Sequence, residues 1–124
     1  DQLVLNRLSR VASVRDPGNL QRNFERLRND DPGVRFEQVN ARSIYLEKTF
    51  YPEVKALFEM ASQRHIDLFS LRGSVAGAFG LPQFLPTAYQ RFAVDGNDNG
   101  RVSLFEPEDA VLSVAKYLAN FGWK

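Results

Sequence analysis

Residues Asp95 to Glu106 read DGNDNGRVSLFE. The run matches the twelve-residue calcium loop of an EF-hand at every diagnostic position. Asp95, Asn97 and Asn99 supply side-chain oxygens at its first, third and fifth positions. Gly100 is sixth, where the chain must turn sharply, and Arg101 follows with a backbone carbonyl. Ser103 acts at the ninth position, directly or through a water, and Glu106 closes the set at the twelfth as a bidentate carboxylate. Val102 is the apolar residue that ties the loop to the core. An Asn- and Gly-rich surface turn is the alternative, because Asp, Asn and Gly are common turn formers. Glycine at the sixth position together with glutamate at the twelfth favours the metal. Since Asn fills the third and fifth positions, only two ligand side chains carry full charge. Weak Ca²⁺ binding is therefore expected, on the order of 10⁻⁴ to 10⁻³ M, with the ion acting as a structural brace.

Helices are expected on both sides of this loop. Thr87 to Phe92 can enter it as a helix after Pro86. Behind it, Pro107 takes a favoured first-turn position, and Glu108 and Asp109 complement the helix dipole. Val111, Leu112, Val114, Ala115, Leu118 and Ala119 form an apolar stripe that Gly122 terminates. Upstream, Leu3, Val4, Leu8 and Val11 predict a first amphipathic helix, broken at Asp16-Pro17-Gly18. Leu20, Phe24 and Leu27 predict a second, broken at Asp31-Pro32-Gly33. Residues 34–45 are open between a short helix and an extended segment. From about Pro52 to Gln63, the spacing of Val54, Leu57, Phe58 and Ala61 predicts another helix. The expectation is one mainly α domain over residues 1–124.

Composition narrows the chemistry. At 124 residues the chain is long enough for a single modest core. Hydrophobic residues make up 44% and charged residues 25%, and the net charge is +1. That balance gives no general attraction to nucleic acid or to an anionic membrane. Cysteine is absent, which removes disulfides, thiol catalysis and Cys-based zinc sites. No apolar run reaches the roughly 18 residues that would mark a membrane span. The chain opens at Asp1 without a charged-then-apolar leader, so an export signal is expected to have been removed. His65, the lone histidine, is assigned no function.

The run RGSVAGAFGLPQFLPTAYQRFAVDGNDNGRVSLFEPEDAVLSVAKYLANFGW, residues 72–123, resembles the MltB-like membrane-bound lytic transglycosylases. Its parts are GS-x-AGAFG, PQF-x-P, the AVD calcium loop, DA-x-x-SVA-x-YL and a terminal GW, in that order. The resemblance implies a lysozyme-like helical fold and cleavage of peptidoglycan glycan strands, in the periplasm or at the outer membrane. A monomer is expected. By the same resemblance Ser74 lies beside a catalytic acid, Gln83 lines the saccharide groove, and Tyr117 contacts the sugar. Lys116 stands where the family usually has asparagine. Independently of the family, Ala76, Gly77, Ala78 and Gly80 leave backbone amides open to close approach. Gln83 offers a donor and an acceptor to acetamido and hydroxyl groups. Phe79 and Phe84 offer apolar faces for sugar rings, or else belong to the core.

Glycosidic cleavage needs a carboxyl group to protonate the leaving oxygen. In the family that glutamate belongs to a segment like G-[VI]-E-[ST]-x-[WF]-G, and this sequence contains none. Residues 1–24 hold no glutamate, and the first one is Glu25, in the charged setting NFERLR. Glu25 is the provisional acid, with Glu47 and Glu53 as alternatives that read more naturally as surface residues. Three explanations follow. The chain keeps the groove without cleavage, as a binding or interaction module; its acid has moved; or a segment of the intact protein lies outside it, which the poorly patterned region 16–42 and the divergent stretch 1–51 suggest.

Overall fold

The structure, a computed structural model, describes residues 2–123. It runs β1 (Gln2–Leu3), α1 (Val4–Ala12), α2 (Pro17–Asp30), α3 (Phe36–Arg64), β2 (Arg72–Gly73), α4 (Pro86–Phe92) and α5 (Pro107–Asn120). Val4 and Leu8, one turn apart on α1, are fully buried and pin that helix to the core. Burial of each such side chain contributes about 1.5–3 kcal/mol. The two-residue strands pair antiparallel, Gln2 with Gly73 and Leu3 with Arg72, and so place α1 beside the segment that follows β2.

The ambiguous stretch 34–45 is helical, and it does not stop before Pro52. α3 runs 29 residues with Pro52 inside it. Proline removes one backbone donor and crowds the preceding turn, which is why the pattern suggested a helix beginning there. Continuity wins because both halves bury residues: Val39 and Ser43 before the proline, Glu53, Ala56, Leu57 and Met60 after it. Pro52 itself faces solvent. Phe24 of α2 meets Phe36 edge-on at 5.4 Å, which helps fix the start of α3. His65 ends the helix in the left-handed conformation, at φ 54°.

α1 and α2 pack on α3, and α4 packs on α3 and α5. The core gathers Val4, Leu8, Leu57, Met60, Phe79, Tyr89, Phe92 and Leu104. Glu53 is buried within this frame, and its carboxylate accepts from the Thr87 backbone N–H at 3.0 Å and from the Thr87 hydroxyl. It caps the first turn of α4, whose own N-cap position, Leu85, has no side chain able to do so. That is a structural duty, and it accounts for this glutamate. No helix among the described residues is long and apolar enough to cross a membrane.

Candidate functional site

Residues 73–84 form two consecutive tight turns. In the first, the Ser74 N–H donates to Ala78 O at 2.8 Å and Gly77 N–H to Ser74 O at 3.0 Å. The Ser74 hydroxyl accepts from the backbone N–H groups of Ala76 and Ala78, each at 3.3 Å. α1 holds this turn from outside, where Arg7 Nε donates to Val75 O at 2.8 Å. The second turn is closed by a bridge between Phe79 and Phe84, with reciprocal amide bonds of 3.0 and 3.1 Å. Within it, Gln83 adopts φ 55°, a conformation that costs a non-glycine residue free energy and often marks a functional site. Gly80, at φ 76°, lies so close to Leu104 that a Cβ would collide with that side chain.

Gln83 is exposed on this turn, and its Nε2 donates to Gly80 O at 2.9 Å. That bond aims the side chain and leaves its carbonyl oxygen for a ligand. Phe84 departs from the expected open platform: it is buried and stacks on Tyr117 at 5.6 Å, supporting the turn from behind. Tyr117 is half-buried in an aromatic cluster, 5.2 Å from Phe92 and 4.8 Å from Phe121. Among the described residues its hydroxyl makes no hydrogen bond, so it is available to a ligand.

The second turn is tied directly to the loop between α4 and α5. Leu81 N–H donates to Leu104 O at 2.8 Å. Within that loop Asp95 accepts from the N–H groups of Asn99 (3.2 Å) and Gly100 (2.7 Å). Asn97 Nδ2 and Asn99 Nδ2 both approach Glu106 Oε2 at 3.3 Å. The side chains at the third, fifth and twelfth positions therefore converge on one point. Gly100, at φ 80°, makes the turn there without steric cost. The donor set suits a hard cation: two carboxylates, two amides that present oxygen when turned end for end, the Arg101 carbonyl and the Ser103 hydroxyl. Among the described residues no three His, Cys, Asp or Glu side chains form a metal cluster, so an ion here would depend on those neutral oxygens.

Two residues legible in sequence only as motif positions without a role, Asp109 also as a complement to the helix dipole, organise the loop. Asp109 and Ser113, four apart on α5, are both completely buried. One Asp109 oxygen accepts from Gly96 N–H at 2.7 Å and the other from Ser103 N–H at 2.8 Å, so a single carboxylate clasps both arms of the loop. Ser113 Oγ accepts from Val94 N–H at 3.0 Å. The available signal was two polar residues at i and i+4 interrupting an apolar helix. Tyr89, beneath the loop, donates to Val102 O at 3.3 Å. Burial raises its pKa above 10.0, Arg64 opposes the rise, and Asp109 adds to it.

Among the described residues no hydrogen bond or ion pair links Glu25 to these turns. It is exposed on α2, its carboxylate accepting from Gln21 Nε2 at 3.0 Å. Glu47 pairs with Arg15 at 3.3 Å on the surface. The Ser74 hydroxyl makes no hydrogen bond to a carboxylate among the described residues.

The chain is 40% identical over 74 residues to membrane-bound lytic murein transglycosylase B of Escherichia coli, a match covering 60% of this chain and 20% of that protein. It therefore spans about a fifth of that relative. Among solved structures it is similar to the E. coli lytic transglycosylase Slt35 in complex with calcium, with TM-score 0.61 and 38% identity over 63% of this chain and 25% of that one. Slt35 has also been solved with bulgecin A. The soluble lytic transglycosylase SltB1 of Pseudomonas aeruginosa matches with TM-score 0.61 and 38% identity, over 63% of this chain and 27% of that one. These likenesses bear out the mainly helical, lysozyme-like fold. The model of the transglycosylase SLT domain matches residues 39–124, reaching well upstream of the motif run into α3. With more than half its length inside that match, the chain belongs to the transglycosylase SLT domain family.

Proposed function

We propose that the chain acts in peptidoglycan lytic transglycosylation. The bond cut is the β-1,4 link between N-acetylmuramic acid and N-acetylglucosamine. The 6-hydroxyl of the muramic residue attacks its own C1, the C1–O4 bond breaks, and the leaving oxygen takes a proton from a carboxylic acid. The resulting carboxylate takes the 6-hydroxyl proton, so the 1,6-anhydro ring forms without water. The observation carrying this reading is the paired turn at residues 73–84, with Gln83 in a strained, exposed conformation and the turn braced by Leu104. Gln83 would hold the glycan through its free carbonyl oxygen and Tyr117 would contact the sugar, while Ser74, whose hydroxyl accepts from the Ala76 and Ala78 amides, would keep the first turn in shape.

Glu25 is the carboxyl group assigned to proton transfer in this reading. It is exposed on α2, so the bound glycan itself must exclude water from it for acid work. Ca²⁺, supported by the calcium complex of Slt35, would be held by Asp95, Asn97, Asn99, Glu106, the Arg101 carbonyl and Ser103. The ion's contribution is to stiffen the loop behind Gly80 and Leu81. A periplasmic or outer-membrane location and a monomeric state complete the proposal.

The test is mass spectrometry of soluble products after incubation with purified peptidoglycan and calcium, beside Glu25→Gln and Glu47→Gln samples. Anhydromuropeptides lost in one variant would support the reading and identify its acid. Folded protein that binds the sacculus and releases no anhydro product would assign the chain glycan holding alone.

A further inference from the structure

α1, α2 and α3 enclose a cavity of about 480 Å³ on the face beyond Arg7. Arg7, Arg10, Arg22, Arg26 and Arg42 line it, and among the described residues no aspartate or glutamate does. The floor is aliphatic, from Val11, Leu27, Val39 and Leu46. Among the described residues the one ion pair, Arg15 with Glu47, lies outside the lining. The guanidinium groups of Arg10, Arg26 and Arg42 make no hydrogen bond among the described residues. Arg22 is held by Asn19 Oδ1 at 2.6 Å, and Arg42 lies over the Tyr45 ring at 4.9 Å.

With the whole chain at only +1, this charge is local, and it is concave rather than spread over a face. Every cation in residues 1–46 is arginine. Guanidinium groups are rigid forks that match carboxylates two bonds at a time, which a lysine cannot do. We infer that this groove binds a short acidic peptide, its carboxylates on the arginines and its aliphatic side chains on the floor. Arg7 both lines the groove and donates to Val75 O, which places the groove's edge at the Ser74 turn. Resting on the proposed function, the occupant is the carboxylate-bearing peptide of a glycan strand held at that turn. A cavity of this size takes a few residues.

The experiment uses free peptide without sugar, so its failure leaves glycan cleavage untouched. Titration calorimetry would compare the tripeptide L-alanyl-γ-D-glutamyl-diaminopimelate with its fully amidated form, on the parent chain and on Arg22→Gln and Arg26→Gln. These arginines are exposed, and thermal melts would verify folding. Saturable binding of the acidic form is expected, weakened about tenfold by each substitution and by amidation, and weakened by salt. Equal affinity for both peptides, or variants binding like the parent, would overturn the inference. So would binding of inorganic phosphate or phosphatidylglycerol vesicles with none of the peptide.

Discussion

Replacing Asp109 by alanine removes the clasp that holds both arms of the loop between α4 and α5. The residue is completely buried, and its two oxygens take the Gly96 and Ser103 amides at 2.7 and 2.8 Å. A hydrogen bond to a charged group contributes about 1.5–3 kcal/mol, so losing both costs about 3–6 kcal/mol. Domains of this size have about 5–15 kcal/mol in total, so the variant should be severely destabilised. At about 3–6 °C per kcal/mol for a domain of this length, the melting temperature should fall by at least about 10 °C. Asp109→Asn keeps one acceptor and turns an amide donor toward the other N–H, so its loss should be at least half as large. Urea unfolding followed by far-UV circular dichroism, at fixed calcium, measures both. If Asp109→Ala unfolds within about 1 kcal/mol of the parent with an unchanged m-value, the clasp does not hold the loop and the reasoning fails.

Calcium at ten times its dissociation constant should add about 1.4 kcal/mol of stability, from the linkage of binding to folding. Asp95→Ala should abolish that increment in a calorimetric scan, and a calcium-independent melt of the parent would contradict the metal assignment. Gly80→Ala forces a Cβ into Leu104 at φ 76°, so it should lose about 1–3 kcal/mol in the same urea assay. Gln83→Gly relieves φ 55°, so it should keep or raise the melting temperature while weakening binding of a soluble glycan; a fall in both would show the residue to be structural. Because the folded Tyr89 pKa lies above its unfolded value of 10.0, the folded state keeps its proton longer. That contribution is present below pH 10.0 and is lost as pH rises through the folded value. Melting temperature above pH 10.0 should therefore fall more steeply for the parent than for Tyr89→Phe.

Local pattern predicted the helices well wherever an apolar stripe met a clear stop. α5 begins at Pro107 and ends before Gly122 as its spacing required, and α1 follows Val4 and Leu8. α3 was legible only in part, because a proline normally signals a helix boundary, and burial on both sides of Pro52 overrode that signal. The convergence of Asn97, Asn99 and Glu106 was legible from spacing, since the loop that carries them is contiguous in sequence. Glu53 was not, because its role depends on where a distant backbone amide arrives, and Asp109 showed only as a polar residue in an apolar helix. A carboxylate capping a helix 34 residues away leaves no trace in local sequence. Phe84 is open in sequence between platform and core, and its burial against Tyr117 decides for the core.

α2 has no buried residue, although it forms one wall of the arginine-lined groove. Its attachment to α3 therefore lacks the apolar anchoring that secures α1, and it belongs to the low-stability end of the molecule. Amides of α2 should exchange with solvent deuterium by local opening, well before those of α5. An occupant bridging α2 to α1 and α3 would close that opening, and part of its binding free energy would be spent ordering the helix. The protein would then register its ligand as slowed exchange along one helix, even with no change in its average shape.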